Sequence, residues 1–179
     1  MFLDIAFGIF ASYITANLFD VTITWQLMCL GVFFILLPDI DFWWRNDQKI
    51  DHRSFMHCPL YYVVISLVIA LTGNYMLAFL FLITAIFHFI HDTFVLGWGV
   101  AWFAPFSYRR YKLFPDDGKG GFLKEKFLTW LPSEHLSLEK KLNDKDWVYH
   151  WYLRLTVVSF VEYTSFLIAV LLVIVTFVD

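Results

Sequence analysis

Two histidines and an aspartate interrupt an otherwise apolar run: "FHFIHD", residues 87–92, falls late in "YMLAFLFLITAIFHFIHDTFVLGWGV". A charged side chain at the centre of a bilayer costs at least about 2.5–3.5 kcal/mol. These residues therefore need a partner, a proton or a metal ion. On a helix turning about 100° per residue, His88 and Asp92 stand one turn apart on one face, with His91 at its edge. A histidine and a carboxylate at i, i+4 can grip one ion together; they can equally form a hydrogen-bonded pair between helices. Three further clusters of similar chemistry lie far away in the chain. "LLPDID" (36–41) carries Asp39 and Asp41, "DHRSFMH" (51–57) carries Asp51, His52, Arg53 and His57, and Asp4 sits in the first apolar run. Taken singly, "PDID" reads as a helix stop with solvated acids and Asp51–Arg53 as a surface ion pair. Together they supply a nitrogen and oxygen shell, which suits zinc, manganese or iron(II) better than calcium.

The elements that must position these residues are apolar throughout. Of 179 residues 60% are hydrophobic and 21% aromatic, while only 16% are charged, against about 25% in a soluble domain. The expected fold is all-α, a single polytopic membrane helix bundle of about five transmembrane helices. The spans read as 2–19, 22–37, 59–73, 75–96 and 153–178, with short turns at "LFDVT" and "TGNY". Two polar segments remain, 39–58 and a cytoplasmic loop or subdomain at about 105–150. With five crossings both share the N-terminal side, and all thirteen Lys and Arg fall there, from Arg45 to Arg154. The positive-inside rule makes that side cytoplasmic and puts the C-terminus outside. All four polar clusters then reach the cytoplasmic face.

Smaller signals complete the map. "MFLDIAFGIF" lacks a basic leader region and reads as a retained helix. Cys29 and Cys58 do not make a disulfide framework. "FPDDGKGGFLKEKF" supplies a turn, Ser133 a cap for a short surface helix, and Asp144 a cap for a last helix that continues into the membrane. Trp98, Trp102, Trp130, Trp147 and Trp151 mark an interfacial aromatic belt. Glu162, inside the fifth span, reads as a carboxylate behind the ligands, a general base or a protonated hydrogen-bonded acid.

At these residues the chain resembles the bacterial membrane-bound metal-dependent hydrolases. Their "PDID", "HRG-x-TH" and "H-x-x-x-D" motifs are matched in order by "LLPDID" at 36–41, "HRSFMH" at 52–57 and "HFIHD" at 88–92. "GWGVAWFAPF" at 97–106 follows them, so the resemblance covers roughly residues 1–110. It implies that Asp39, His52, His57, His88 and Asp92 are metal-site residues and that Arg53 contacts a phosphate or substrate. Asp4 stands where the family has its first histidine, Ser54 and Met56 replace the Gly and Thr, and His91 replaces an apolar residue and adds a candidate ligand. "PDID" and "H-x-x-x-D" are also distantly similar to pieces of zinc-dependent phospholipase C, which points toward phosphoester chemistry.

The expected function is a metal-dependent hydrolase of the inner membrane, with zinc as the first candidate metal and manganese or iron as alternatives. Metal-activated water would attack the scissile group. Asp41 or Asp51 would accept its proton, and the Arg53 fork would hold an anion. A site at headgroup depth makes membrane lipid the expected substrate and partner; no nucleic-acid partner is expected. Two other classes remain open. Buried His, Asp and Glu also line ion or proton pathways, and a closed shell would make the metal structural in a non-catalytic scaffold.

Overall fold

The computed structural model describes residues 2–43, 56–94, 98–117, 121–142 and 146–178. Five apolar helices form the body: α1 (Phe2–Leu18), α2 (Trp25–Leu36), α3 (Pro59–Leu71), α4 (Tyr75–Thr93) and α6 (Val157–Val178), with a short α5 (His135–Leu142) between the last two. Of these, α4 and α6 are long and apolar enough to cross a membrane, whereas α1, α2 and α3 are apolar but shorter.

Contacts along the helices define their directions. Ser12 of α1 lies 3.0 Å from the Leu27 carbonyl and Gly8 lies against Gly31, so α1 and α2 run antiparallel. The Ser66 hydroxyl donates to the Ala78 carbonyl at 2.8 Å and Tyr62 stacks on Phe81, which makes α3 and α4 antiparallel. On α6, Glu162 accepts from the Leu3 N–H, and the Tyr13 hydroxyl reaches Leu172 and Thr176, so α6 runs parallel to α1. One end of the bundle therefore gathers the starts of α1, α3 and α6 and the ends of α2 and α4.

Small residues set the closest crossing. Without a hydrophobic driving force in lipid, helices gain contact by bringing backbones together at Gly, Ala and Ser. A Cβ on Gly31 would lie 2.4 Å from the Gly8 carbonyl oxygen and 2.2 Å from Ser12 Oγ. One on Gly8 would meet Val32 Cα at 2.8 Å. The α1 stripe Asp4, Gly8, Ser12 continues this seam toward the polar end of the bundle, and all three are buried.

The all-α expectation needs one correction. Beyond α4, β1 (Arg110–Leu113) and β2 (Phe127–Trp130) pair antiparallel, with Arg110 opposite Trp130 and Leu113 opposite Phe127. The turn between them was legible, but the strands were not, because the buried face of β1 carries Arg110 and Lys112, each 4% exposed. The polar positions point inward, which inverts the alternation expected of a half-buried strand. Lys112 is held there by Asp116 at 2.7 Å and lies over the Trp98 ring. Bridges Phe94–Leu113 and Val100–Tyr111 fasten this hairpin to the end of α4.

Other local expectations also shift. Trp130 and Trp151 are buried in the subdomain rather than lying in a belt, while Trp147 is exposed. The backbone N–H of Leu131 is accepted by Glu134, not capped by Ser133. The last helix is not continuous from the polar segment: a π-helical turn at Val148–Leu153 ends at Arg154, and α6 restarts at Val157. Thr156 and Ser159 bond reciprocally at that restart, each backbone N–H donating to the other's hydroxyl. Asp144 lies outside the described residues. Cys29 and Cys58 are both free thiols.

The Gly8–Gly31 crossing gives a direct prediction. Gly31→Leu overpacks α1 against α2 and costs about 1–3 kcal/mol, read as a lower melting temperature of the detergent-solubilised protein. Phe33→Leu, at an exposed position on the same helix, should leave the melting temperature unchanged.

Candidate metal centre

Pro38 begins the construction of the site. Its ring cannot continue an α-helix, and α2 tightens at its end into a 3-10 segment, Leu37–Trp43. That turn carries Asp39 to the end of α4. On the other side His57 occupies the turn before α3, where Cys58 is the N-cap and Pro59 the first helical residue, the position that tolerates a missing N–H. The Cys58 thiol donates to the Ala104 carbonyl at 3.2 Å and anchors that turn. His88 and Asp92 come from the last two turns of α4, and the Gly99 N–H donates to the Asp92 carbonyl at 3.2 Å. Gly99 is needed there: its φ is +70°, and a Cβ would meet Trp130 and the Tyr111 carbonyl at 2.8 Å.

These segments bring four side chains to one point. Asp39, His57, His88 and Asp92 each offer one ligand atom, all within 4.8 Å of one another. His57 Nε2 lies 3.4 Å from Asp39 Oδ1, 3.2 Å from Asp92 Oδ2 and 3.4 Å from His88 Nε2. His88 Nε2 lies 3.7 Å from Asp39 Oδ1 and 3.9 Å from Asp92 Oδ2. A tetrahedral ion with bonds of about 2.0–2.1 Å holds its ligands roughly 3.3 Å apart. Around His57 the cluster has the spacing a divalent ion needs; around His88 it is wider, by about half an ångström, and would close on binding. Both histidines aim Nε2 inward. His57 and His88 are 1% exposed, whereas the Asp39 side chain is 44% exposed, so the cluster opens on its Asp39 side.

The ten candidate site residues divide into three groups. Asp39, His57, His88 and Asp92 meet as described. Asp4 and His91 stand together behind His88: His91 Nδ1 is 2.8 Å from Asp4 Oδ1, and His88 Nδ1 is 3.7 Å from the same oxygen. Asp51, His52 and Arg53 lie outside the described residues, as does the side chain of Asp41.

The polar chain continues into α6. His91 Nε2 is 3.6 Å from Glu162 Oε1, the Tyr152 hydroxyl donates to that oxygen at 3.0 Å, and the Leu3 N–H donates to Oε2 at 3.2 Å. The first N–H groups of a helix have no intrahelical acceptor, so Glu162 satisfies one for α1. Burial, with the Glu162 carboxylate beside it, pushes the Tyr152 hydroxyl above the ordinary phenol range, so it remains a donor. Tyr152 carries no sequence signal that separates it from the other tyrosines. Glu162 was visible as an acid within a span, and His91 as a candidate ligand, but their pairing was not.

Carboxylates behind ligand histidines fix the ring orientation and raise ligand basicity, and removing them typically weakens metal binding about 10–100-fold. Metal analysis of the purified protein should therefore find a bound divalent ion that His88→Ala/Asp92→Ala loses outright. Asp4→Asn should retain the ion with affinity weakened by about that factor. Because an ion that binds only the folded state stabilises it, by about 2.7 kcal/mol at one hundred times its Kd, a chelator should lower the melting temperature of the wild type. It should leave that of the double variant unmoved.

Two helices of membrane-spanning length and a His/Asp cluster that can hold a metal ion frame the comparison with known proteins. No curated protein and no solved structure matches the chain. The pattern of one protein family does match, from residue 3 to residue 178, and the chain belongs to the YdjM inner membrane protein family.

Proposed function

We propose that the protein is a metal-dependent hydrolase of the inner membrane that cleaves a lipid phosphoester at the cytoplasmic interface. The observation that carries this reading is the convergence of Asp39, His57, His88 and Asp92 from three chain segments, with their ligand atoms within 4.8 Å of one another and one side open. A purely structural ion is usually enclosed on all sides by protein ligands, while a catalytic one keeps an accessible face.

The membrane arrangement in this proposal is five crossings with the N-terminus cytoplasmic and the C-terminus outside. Three observations support it: the alternating helix directions, the gathering of the polar residues at one end, and the confinement of all Lys and Arg to the segments at that end. The shorter helices α1, α2 and α3 would cross where the bilayer thins locally or their ends extend through flanking residues.

A divalent ion in the cluster, zinc first and manganese or iron next, would polarise the phosphoryl group and lower the pKa of water. The protein's own residues do the remaining work. Asp39 lies at the open side, where substrate enters. Asp4, behind His88, keeps the imidazole oriented. Arg53 takes the role of a bidentate phosphate fork, and Asp41 or Asp51 that of proton acceptor. In the net reaction the water oxygen bonds to phosphorus, the P–O ester bond breaks, and the alcohol leaves with a proton.

Reconstituted protein, loaded with zinc or manganese, should release product from vesicles containing phosphatidic acid or phosphatidylglycerol. Release should vanish with chelator and in His88→Ala/Asp92→Ala, and should fall in Arg53→Lys with metal content unchanged. Metal-loaded, folded protein that hydrolyses neither phosphomonoester nor phosphodiester lipids would sink the hydrolase reading. For topology, alkaline phosphatase fused after the C-terminus should be active and a green fluorescent protein in the same place dark.

A further inference from the structure

A second feature lies beside the cluster. An apolar cavity of about 490 Å3 is bordered by Leu37, Met56, Tyr62, Val64, Ile65 and Pro105, among others. It is continuous with the metal-ligating segments: Leu37 is two residues before Asp39, and Met56 directly precedes His57. Its floor is the aromatic layer behind the ligands. Tyr62 packs edge-on against Phe89, with centroids 5.1 Å apart, and Phe89 packs edge-on against both His57 and His88. At its other end the cavity reaches the outward face of α3, where Val64 is 50% and Ile65 46% exposed. That face continues outward as Val63, Leu67, Val68 and Leu71, all exposed and apolar.

We infer that this groove holds a hydrocarbon chain of the lipid whose polar head reaches the Asp39–His57–His88–Asp92 cluster. The inference rests on the metal-site part of the function proposed above and narrows its substrate to a phosphoester with a long apolar tail. Three features select this occupant. Among the described residues the wall presents only apolar surface, so an extended peptide would leave its N–H and C=O groups without partners there, which is costly inside a membrane. The size falls within the range of small-molecule sites, about 300–1,000 Å3, and a concavity of that kind takes a chain rather than the face of a second helix. One end opens on the exposed apolar face of α3, and the other is bordered by Leu37 and Met56, close in sequence to Asp39 and His57, so a lipid entering sideways would carry its head toward the cluster. A water-soluble phosphoester would make no use of the groove.

The test separates this subsite from hydrolysis. The metal-loaded protein is placed in phosphatidylcholine vesicles containing a phosphatidic acid probe made uncleavable by a methylene in place of its ester oxygen, with a photoactivatable diazirine on one acyl chain; a parallel sample contains diacylglycerol with the same chain and no phosphate. After illumination the labelled peptides are mapped. The expected result is label in the peptide spanning 56–65, stronger for the phosphatidic acid probe than for the diacylglycerol probe. Ile65→Trp, which fills the groove, should remove most of it. Leu67→Trp, on the same exposed face and outside the groove, should not. His88→Ala should abolish the preference for the phosphate-bearing probe. Equal labelling by the two probes in the wild type would mean that bulk lipid fills the groove, and would overturn the inference. Label spread over α6 and other lipid-facing helices, unaffected by Ile65→Trp, would also overturn it. Head-group preference in the groove without any product release would uphold the tail subsite while removing the hydrolase reading.

Discussion

Everything at the polar end of this molecule follows from the cost of burying carboxylates and imidazoles away from water. Isolated, each would carry a desolvation penalty of several kcal/mol, and among the described residues the buried ones are grouped. His57 and His88 share Asp39 and Asp92, Asp4 stands between His88 and His91, and Glu162 closes the chain through Tyr152 and the Leu3 N–H. The helices then have little freedom. α1 must begin beside the end of α4, α2 must tighten at Pro38 to deliver Asp39, and α6 must run parallel to α1 to present Glu162. The close Gly8–Gly31 crossing serves the same requirement from the apolar side, by setting the distance at which α1 and α2 meet.

The polar end also explains why a small subdomain sits beyond α4. A helix end that carries candidate ligands needs a fixed position to hold them, yet helix ends fray. Here the end of α4 is bound by the Gly99–Asp92 backbone bond, by Trp102 donating to Thr93, and by the bridge from Phe94 to β1. Buried Trp130, on the paired strand, packs where Gly99 leaves room. The hairpin thus acts as a brace for the last turn of α4, although its own interior is partly built from Lys112 and Asp116.

How much of this was legible depended on whether local signals agreed with the tertiary outcome. The apolar helices were legible because length and hydropathy alone determine them, and their boundaries fell within a few residues of expectation. The grouping of Asp39, His57, His88 and Asp92 was legible because chain direction alone brings them to one end, and His88 and Asp92 share a helix face. The positions of Asp4 and His91 were not. Residue type marks both as candidate ligands, but only the packing of α1 against α4 and α6 turns them away from the four-residue cluster. The hairpin was hidden by its inward-facing cations, and the break before α6 by a sequence, "YLRLTVV" at 152–158, that contains neither proline nor glycine to announce it.

The contact between Leu3 and Glu162 spans 159 residues. In a membrane protein synthesised from its N-terminus, α1 through α4 can associate while the rest of the chain is still being made, and the four candidate ligand side chains already lie among them. The support behind His88 cannot be completed then, because His91 and Leu3 wait for the Glu162 carboxylate carried on α6. Assembly of the centre is therefore split in time. A nascent bundle can gather its ligands early, and it becomes rigid around them only when α6 arrives. The arrival of α6, rather than the insertion of any earlier helix, is the moment at which the contacts behind His88 are completed.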